Sequence, residues 1–196
     1  MKKIFVFVMA AVLCLGLAAC GGDGGETKEV KNYDLTDDTG IINIDLTDTF
    51  EKENQSLNED HTSLDLSSNS ENHHGWNYIY SVVLYETIYD YTLERNVDTL
   101  ESYIYAEDLT TEKVEIMGKE GYKVEYVDGN DQDGKMYTIF VMEHKLGEND
   151  GDPGYIGIIR CNYYPDDKEK VMAQVEKIVF NWDADYDFGV EEEDAE

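Results

Sequence analysis

The residues best suited to chemistry by type and spacing lie in an aspartate- and glycine-rich loop at residues 128–134. Its acidic residues are Asp128, Asp131 and Asp133. Carboxylates are the ligands that Ca²⁺ prefers, but an EF-hand loop also needs an oxygen ligand at its first position and glutamate at its twelfth. With Gly134 at the invariant glycine position, those two places fall on Gly129 and Phe140. The spacing therefore favours a hairpin loop of turn-forming residues, and a weak calcium site shared with the acidic loop at 148–152 is the alternative.

Other reactive side chains lack the partners that catalysis needs. The sequence has no Gly-x-Ser-x-Gly elbow and no glycine-rich phosphate loop. The four histidines, His61, His73, His74 and His144, lack the spacing of a zinc site. Cys161 lies in an alternating strand-like run at 155–163 without a nearby histidine, which predicts a buried structural thiol. We therefore expect no enzyme and no cofactor, with calcium as the one exception considered.

The N-terminus carries an export signal. Lys2 and Lys3 precede an apolar run at 4–17, which ends in Leu17-Ala18-Ala19-Cys20-Gly21. The run is about 14 residues, shorter than the roughly 20 that a transmembrane helix needs. The pentad resembles a bacterial lipobox, and an ordinary secretory signal would not need the cysteine. The resemblance implies that Cys20 is diacylated and becomes the N-terminus of the mature protein.

The lipid anchor predicts where the protein lies, and its net charge excludes one class of partner. Two or more acyl chains hold a protein stably on a bilayer, so we expect an extracytoplasmic protein anchored to the membrane of a Gram-positive bacterium. The chain has 44 acidic and 15 basic residues, a net charge of −29, and the signal removes only positive charges. Such a surface repels the phosphates of nucleic acids, which excludes them as partners.

The chain divides into four predicted segments. Residues 1–20 form the signal peptide, 21–40 a flexible acidic and glycine-rich tether, 41–182 a single domain, and 183–196 an acidic tail. Processing leaves Cys161 as the remaining cysteine, so an intramolecular disulfide is excluded.

Alternation and turn residues predict the secondary structure. Strands are expected at 41–46, 77–86, 113–117, 122–127, 136–144 and 155–163, with a short one near 63–66. A helical turn is expected at 49–57, a helix at 96–104 and the most regular helix at 166–181. Residues 87–94 fit either a strand or the start of a helix.

These elements predict an α+β fold, in which an antiparallel meander is packed by the C-terminal helix and one or two others. The part from 97 to 182 looks like the PsbP-like fold of photosystem II extrinsic proteins and Ran-binding import factors. The features that carry the resemblance are Leu100-Glu101-Ser102-Tyr103, the turn from Val114 to Gly121, Tyr122–Tyr126, Asp133-Gly134-Lys135-Met136-Tyr137 and the closing helix before Phe180-Asn181-Trp182. The resemblance implies an accessory role and carries no catalytic residues.

Tyrosine is enriched, with 15 residues in the chain and five of them between 78 and 91. Tyrosines suit both sheet packing, which we favour here, and a ligand-binding platform. The function expected from the sequence is a non-catalytic binding or accessory module with an envelope protein or polysaccharide as partner. Calcium-dependent surface binding and, less favoured, a cell-wall hydrolase are the alternatives.

Overall fold

Strands dominate the part of the chain that the computed structural model describes. These residues are 32–86, 97–98, 101, 104, 106, 108–127, 134–147, 153–184, 186 and 188. The ten strands are β1 (Leu35–Thr36), β2 (Ile42–Ile44), β3 (Glu51–Leu57), β4 (His61–Asn69), β5 (Trp76–Glu86), β6 (Thr110–Ile116), β7 (Lys119–Val127), β8 (Met136–Lys145), β9 (Gly154–Tyr163) and β10 (Ile178–Phe180). A 3-10 turn at Pro165–Asp167 leads into helix α1 (Lys168–Val175).

The larger sheet has seven antiparallel strands in the order β3-β4-β5-β9-β8-β7-β6. Two meanders meet where β5 pairs with β9, with Ile79 opposite Cys161 and Tyr80 opposite Arg160. Because side chains alternate along each strand, this register defines two faces. The inner face carries Ile79 and Cys161, and the outer face carries Tyr80 and Arg160.

The inner face is covered by a second, three-stranded sheet, β1-β2-β10, and by α1. The fully buried members of this core include Ile42, Ile44, Leu64, Leu66, Ile79, Ile159, Tyr163, Val171 and Ile178. Gly157 on β9 lets β10 approach, since a Cβ there would lie 2.5 Å from Cε2 of Phe180. The outer face is covered at its β7–β8 end, where Val124, Ile139 and Val141 pack with Val97.

The expected α+β class is wrong. Strands make up 55% of the described residues, in two antiparallel sheets with little helical packing, so the PsbP-like arrangement of several helices is not what the structure has. The predicted helix at 166–181 ends at Val175, and Ile178–Phe180 forms β10 instead. Pairing with β2, in which Ile178 lies opposite Ile44, overrides the helical spacing of the same side chains.

The polar N-terminal half also differs from expectation. Residues 51–57, predicted within a helical turn, form β3, and the short strand expected near 63–66 is the nine-residue β4. The inward side chain of Thr62 is fully buried because its hydroxyl donates to Asp37 at 2.6 Å. Hydrogen bonds of this kind let a polar sequence enter a sheet, which hydrophobic patterning does not predict.

The strands predicted at 41–46, 77–86 and from 113 to 163 are confirmed with small shifts in their ends. Of the predicted helix at 96–104, Val97, Asp98 and Glu101 are helical and Ile104 is not. The other positions of this prediction lie outside the described residues, as does 87–94. Leu35 and Thr36, which the sequence places in the tether, pair with β2. Phe188, in the predicted tail, packs against the core.

Candidate binding surfaces

The residues predicted to carry chemistry lie mostly where the structure gives no description. Cys20, Asp128, Asp131 and Asp133 are outside the described residues, as is the loop at 148–152. Within the described residues, no group of three or more His, Cys, Asp or Glu side chains is placed to hold a metal ion. The weak calcium site therefore stays an untested prediction.

Histidines in the described ranges lie in three separate surroundings. His61 contacts Asp60 at 2.6 Å, and His73 stacks on Tyr164 with ring centroids 4.1 Å apart. His144 stacks on Trp182 at 5.3 Å, and its pKa is lowered by burial and by the nearby charge of Lys119. His61, His73 and His144 are used in these local contacts, and His74 is exposed next to His73. The fold does not bring the four together around one ion.

The prediction of a buried structural thiol at Cys161 is confirmed. The side chain is fully buried on the inner face, and burial strongly raises the pKa of the thiol. A nucleophilic cysteine needs the opposite shift, because the thiolate is the reactive form. Cys161 therefore serves packing.

The feature with the character of a binding surface is a strip of aromatic side chains on the outer face. Trp76, Tyr78 and Tyr80 alternate along β5, so they project to the same side about 7 Å apart. Trp76 and Tyr80 are each 38% exposed, although β5 lies inside the sheet. Tyr78 and Tyr80 stack with centroids 5.9 Å apart. Tyr137, on β8, extends the strip across the sheet. We call these four residues the aromatic face.

Polar and charged groups are interleaved with these rings. Arg160 lies 5.7 Å from the ring centroid of Tyr137, and the Nζ of Lys135 lies 5.9 Å from that of Tyr78. Asn162 lies between Tyr78 and Tyr137 in register and donates to the Tyr137 hydroxyl at 2.9 Å. Its Oδ1 is buried and has no hydrogen-bond partner among the described residues. The face thus offers flat apolar rings beside hydrogen-bonding groups.

A carboxylate on β4 completes this surface. Asp65 lies opposite Tyr80 in register. Burial raises the pKa of Asp65, and the neighbouring charge of Glu53 raises it further. Burial also raises the pKa of Tyr80, so its hydroxyl keeps its proton as a hydrogen-bond donor. A half-desolvated carboxylate beside an exposed ring is typical of a recognition surface rather than of a structural ion pair.

Sequence reasoning identified the tyrosine cluster and favoured sheet packing for it. The structure divides the cluster between the two faces, because Tyr85 packs against the inner core while Tyr78 and Tyr80 face outward. Asp65 and Arg160 were missed as site residues. Each is a single charged residue in a strand, and only the register places both beside Tyr80.

No family model, curated protein or solved structure matches the chain. No helix within the described residues is long and apolar enough to cross a membrane.

Proposed function

We propose that this protein is a non-catalytic, lipid-anchored binding module of the cell envelope, and that its aromatic face binds an uncharged polysaccharide. The observation that carries the proposal is the strip of exposed Trp76, half-buried Tyr78 and exposed Tyr80 on an internal strand of the sheet. Exposed aromatic side chains on a rigid strand give large contact area at little entropic cost. Polar residues are the commoner occupants of the solvent-facing positions of an antiparallel sheet.

The chemistry of the surface fits a sugar chain. The apolar face of a pyranose ring packs on an aromatic ring, while its hydroxyls need donors and acceptors close to that ring. Arg160 and Asp65 supply these groups beside Tyr80. The net charge of −29 repels anionic polymers, which favours an uncharged glycan.

The lipid anchor is supported by Leu17–Cys20 and by the apolar run before it. An anchored module would hold a glycan strand close to the membrane surface. In cells fed a labelled fatty acid, the wild-type protein should incorporate the label and Cys20→Ala should not. Label on the Cys20→Ala protein would contradict lipidation at this cysteine.

Co-sedimentation with insoluble glycan tests the binding role. The chain from residue 21 onward contains the whole compact unit Tyr33–Glu196, and it should pellet with peptide-free wall glycan and with chitin as an uncharged probe. Trp76→Ala and Tyr80→Ala should each weaken binding about tenfold or more, since aromatic anchors carry most of the energy of such surfaces. Leu57→Ala is the matched control, because Leu57 is equally exposed at 37% and lies outside the aromatic face.

Three results would contradict the proposal. One is equal recovery of wild type and both aromatic variants, which would place binding elsewhere. Another is recovery that depends on calcium and is lost with chelator, which would assign binding to the acidic loops. The third is release of soluble sugar from the glycan, which would mean that the protein is a hydrolase.

A further inference from the structure

Two opposite charges flank Tyr80, the exposed tyrosine of the aromatic face. Asp65 on β4 lies opposite Tyr80 on one side, and Arg160 on β9 lies opposite it on the other. Neighbouring strands are about 4.8 Å apart, so the Cα atoms of Asp65 and Arg160 are about 10 Å apart across the Tyr80 ring. A ligand stacked on this ring would therefore have a carboxylate at one edge and a guanidinium at the other.

Arg160 has no carboxylate partner among the side chains that the structure describes. Lys123 and Lys168, by contrast, each form an ion pair with Glu125 at 2.9 Å. The Arg160 guanidinium lies instead 5.7 Å from the ring centroid of Tyr137, and the residue is exposed. The chain has 44 acidic residues against 15 basic ones. Carboxylate partners are therefore abundant, and an arginine left unpaired is available to a ligand.

Asp65 also lacks a partner within the described ranges. Its carboxyl group receives no hydrogen bond from the residues there, and Arg160 does not form an ion pair with it. Burial raises the pKa of Asp65, and the nearest charge, that of Glu53, adds to this instead of opposing it. Glu53 itself accepts a hydrogen bond from Ser67 at 2.7 Å. A half-buried carboxylate that the fold leaves without a donor is stabilised when a ligand supplies one.

The two charged groups form different kinds of hydrogen bond. A guanidinium only donates, and its planar fork fits a planar oxygen acceptor better than it fits a hydroxyl. An ionised carboxylate only accepts. The ligand must therefore present a planar oxygen acceptor on the β9 side of Tyr80 and a hydrogen-bond donor on the β4 side.

Charge narrows the acceptor to an amide carbonyl. Planar oxygen acceptors on a glycan belong to carboxylates, as in uronic acids, or to acyl groups, as in the acetamido group of an N-acetylated amino sugar. The net charge of −29 repels the carboxylates. An acetamido group is uncharged and presents its carbonyl oxygen at the edge of the sugar ring. A free amino sugar lacks this carbonyl, and its protonated amine is repelled by Arg160.

We infer that Arg160 and Asp65 select an N-acetylated amino sugar within the glycan that the aromatic face binds. The sugar ring stacks on Tyr80, its acetamido carbonyl accepts hydrogen bonds from Arg160, and a hydroxyl on the opposite edge donates to Asp65. This inference rests on the proposed glycan-binding function, and it adds the identity of the sugar and of the residue that recognises it.

Three soluble tetrasaccharides with the same linkage provide the test. Chitotetraose carries acetamido groups, cellotetraose carries hydroxyls in their place, and the fully deacetylated chitosan tetramer carries protonated amines in mildly acidic buffer. In isothermal titration calorimetry at physiological salt, the chain from residue 21 onward should bind chitotetraose at least about tenfold more tightly than either of the others. The reason is that a hydrogen bond to a charged group contributes a factor of about ten or more.

Substitutions on the two sides of Tyr80 separate the acetamido contact from the hydroxyl contact. Arg160→Lys keeps the positive charge but loses the planar fork. It should weaken chitotetraose binding about tenfold and change cellotetraose binding by less than about threefold, so that the preference is lost. Asp65→Asn is the matched variant. Because its hydroxyl partner is present in both sugars, it should weaken both to a similar extent and preserve the preference. Neither variant should have a lower urea midpoint than the wild type, which excludes unfolding as the cause.

The outcomes distinguish this inference from the function on which it rests. Equal affinities of the wild type for chitotetraose and cellotetraose, or a preference that persists in Arg160→Lys, would overturn the role of Arg160 and leave glycan binding in place. Tightest binding of the deacetylated tetramer would also overturn it, since the surface would then recognise cations. Binding of none of the three would contradict the proposed function, and this inference with it.

Discussion

The two faces of the seven-stranded sheet use the same residue type for different purposes. Tyr163 on the inner face is fully buried, and its hydroxyl bonds to that of Thr138 at 2.8 Å. Tyr80 on the outer face is 38% exposed beside Asp65 and Arg160. The difference shows that composition identifies a residue that can bind, whereas strand register decides whether it is available to do so.

The largest expected effect is a loss of stability when the packing of α1 on the inner face is disrupted. Val171 on α1 is fully buried against the sheet, whereas Ala173 on the same helix is exposed. Val171→Asp would bury a carboxylate without a partner, which costs roughly 5 kcal/mol or more. Urea denaturation should show a largely unfolded Val171→Asp protein and a nearly unchanged Ala173→Asp protein. Similar stability of the two would mean that α1 does not pack on the inner face as described.

Truncating one tyrosine on each face compares the faces directly. Tyr163→Ala leaves a cavity and removes the hydrogen bond to the Thr138 hydroxyl, so the free energy of unfolding should fall by about 3–5 kcal/mol. Tyr80→Ala removes a partly exposed ring on the outer face and should cost about 1 kcal/mol. If chemical denaturation showed equal losses in the free energy of unfolding for the two variants, Tyr163 and Tyr80 would not differ as a structural and a surface tyrosine.

A smaller effect is expected at the turn between β6 and β7, where Met117 has a φ of 52°. Met117→Asn and Met117→Ala both shorten this side chain, but asparagine tolerates positive φ and alanine adopts it only with strain. Met117→Asn should therefore be more stable than Met117→Ala by about 1 kcal/mol in urea. If Met117→Ala were the more stable variant, strain at this position would be absent.

The two faces also differ in the sign of their pH dependence. Burial raises the pKa of Asp65 above its unfolded value of 3.8. Any stability that the protonated carboxyl contributes is therefore lost as the pH rises through the folded-state pKa. Asp65→Asn should be stabilising at neutral pH but not at pH below about 3.

Glu125 on the inner face should show the opposite dependence. Burial alone would raise the pKa of Glu125, but hydrogen bonds from Lys123 and Lys168 outweigh burial and lower the pKa below 4.5. Its contribution is lost as pH falls, and Glu125→Gln should destabilise at neutral pH. Thermal unfolding across pH 3 to 7 measures both, and shifts of the same sign would contradict the assignment.

The sequence was sufficient for strands that follow simple alternation, such as β5 and the meander from β6 to β9. It failed for β4, where Thr62 and Ser67 are buried because their hydroxyls are hydrogen-bonded. It also failed for β10, since a three-residue strand depends on pairing with β2 more than a hundred residues earlier. Long-range pairing of this kind leaves no local pattern.

The candidate sites were predictable to different degrees. The tyrosine cluster on β5 is visible in the sequence. Which of its tyrosines face solvent follows only from the strand register, in which Tyr80 lies opposite Asp65 and Arg160. An apolar cleft lined by Met117, Phe140 and Val175 was not predictable at all, because its walls come from three separate segments of the chain.

Trp76 provides the most direct test of the central claim that the outer face binds an uncharged glycan. In a Trp182→Phe background, Trp76 is the single tryptophan, and it lies at one end of the aromatic face. Titration with short chitin oligosaccharides should change its fluorescence saturably, and adding Tyr80→Ala should weaken the response about tenfold or more. No change on titration, or the same titration curve with and without Tyr80→Ala, would contradict the account.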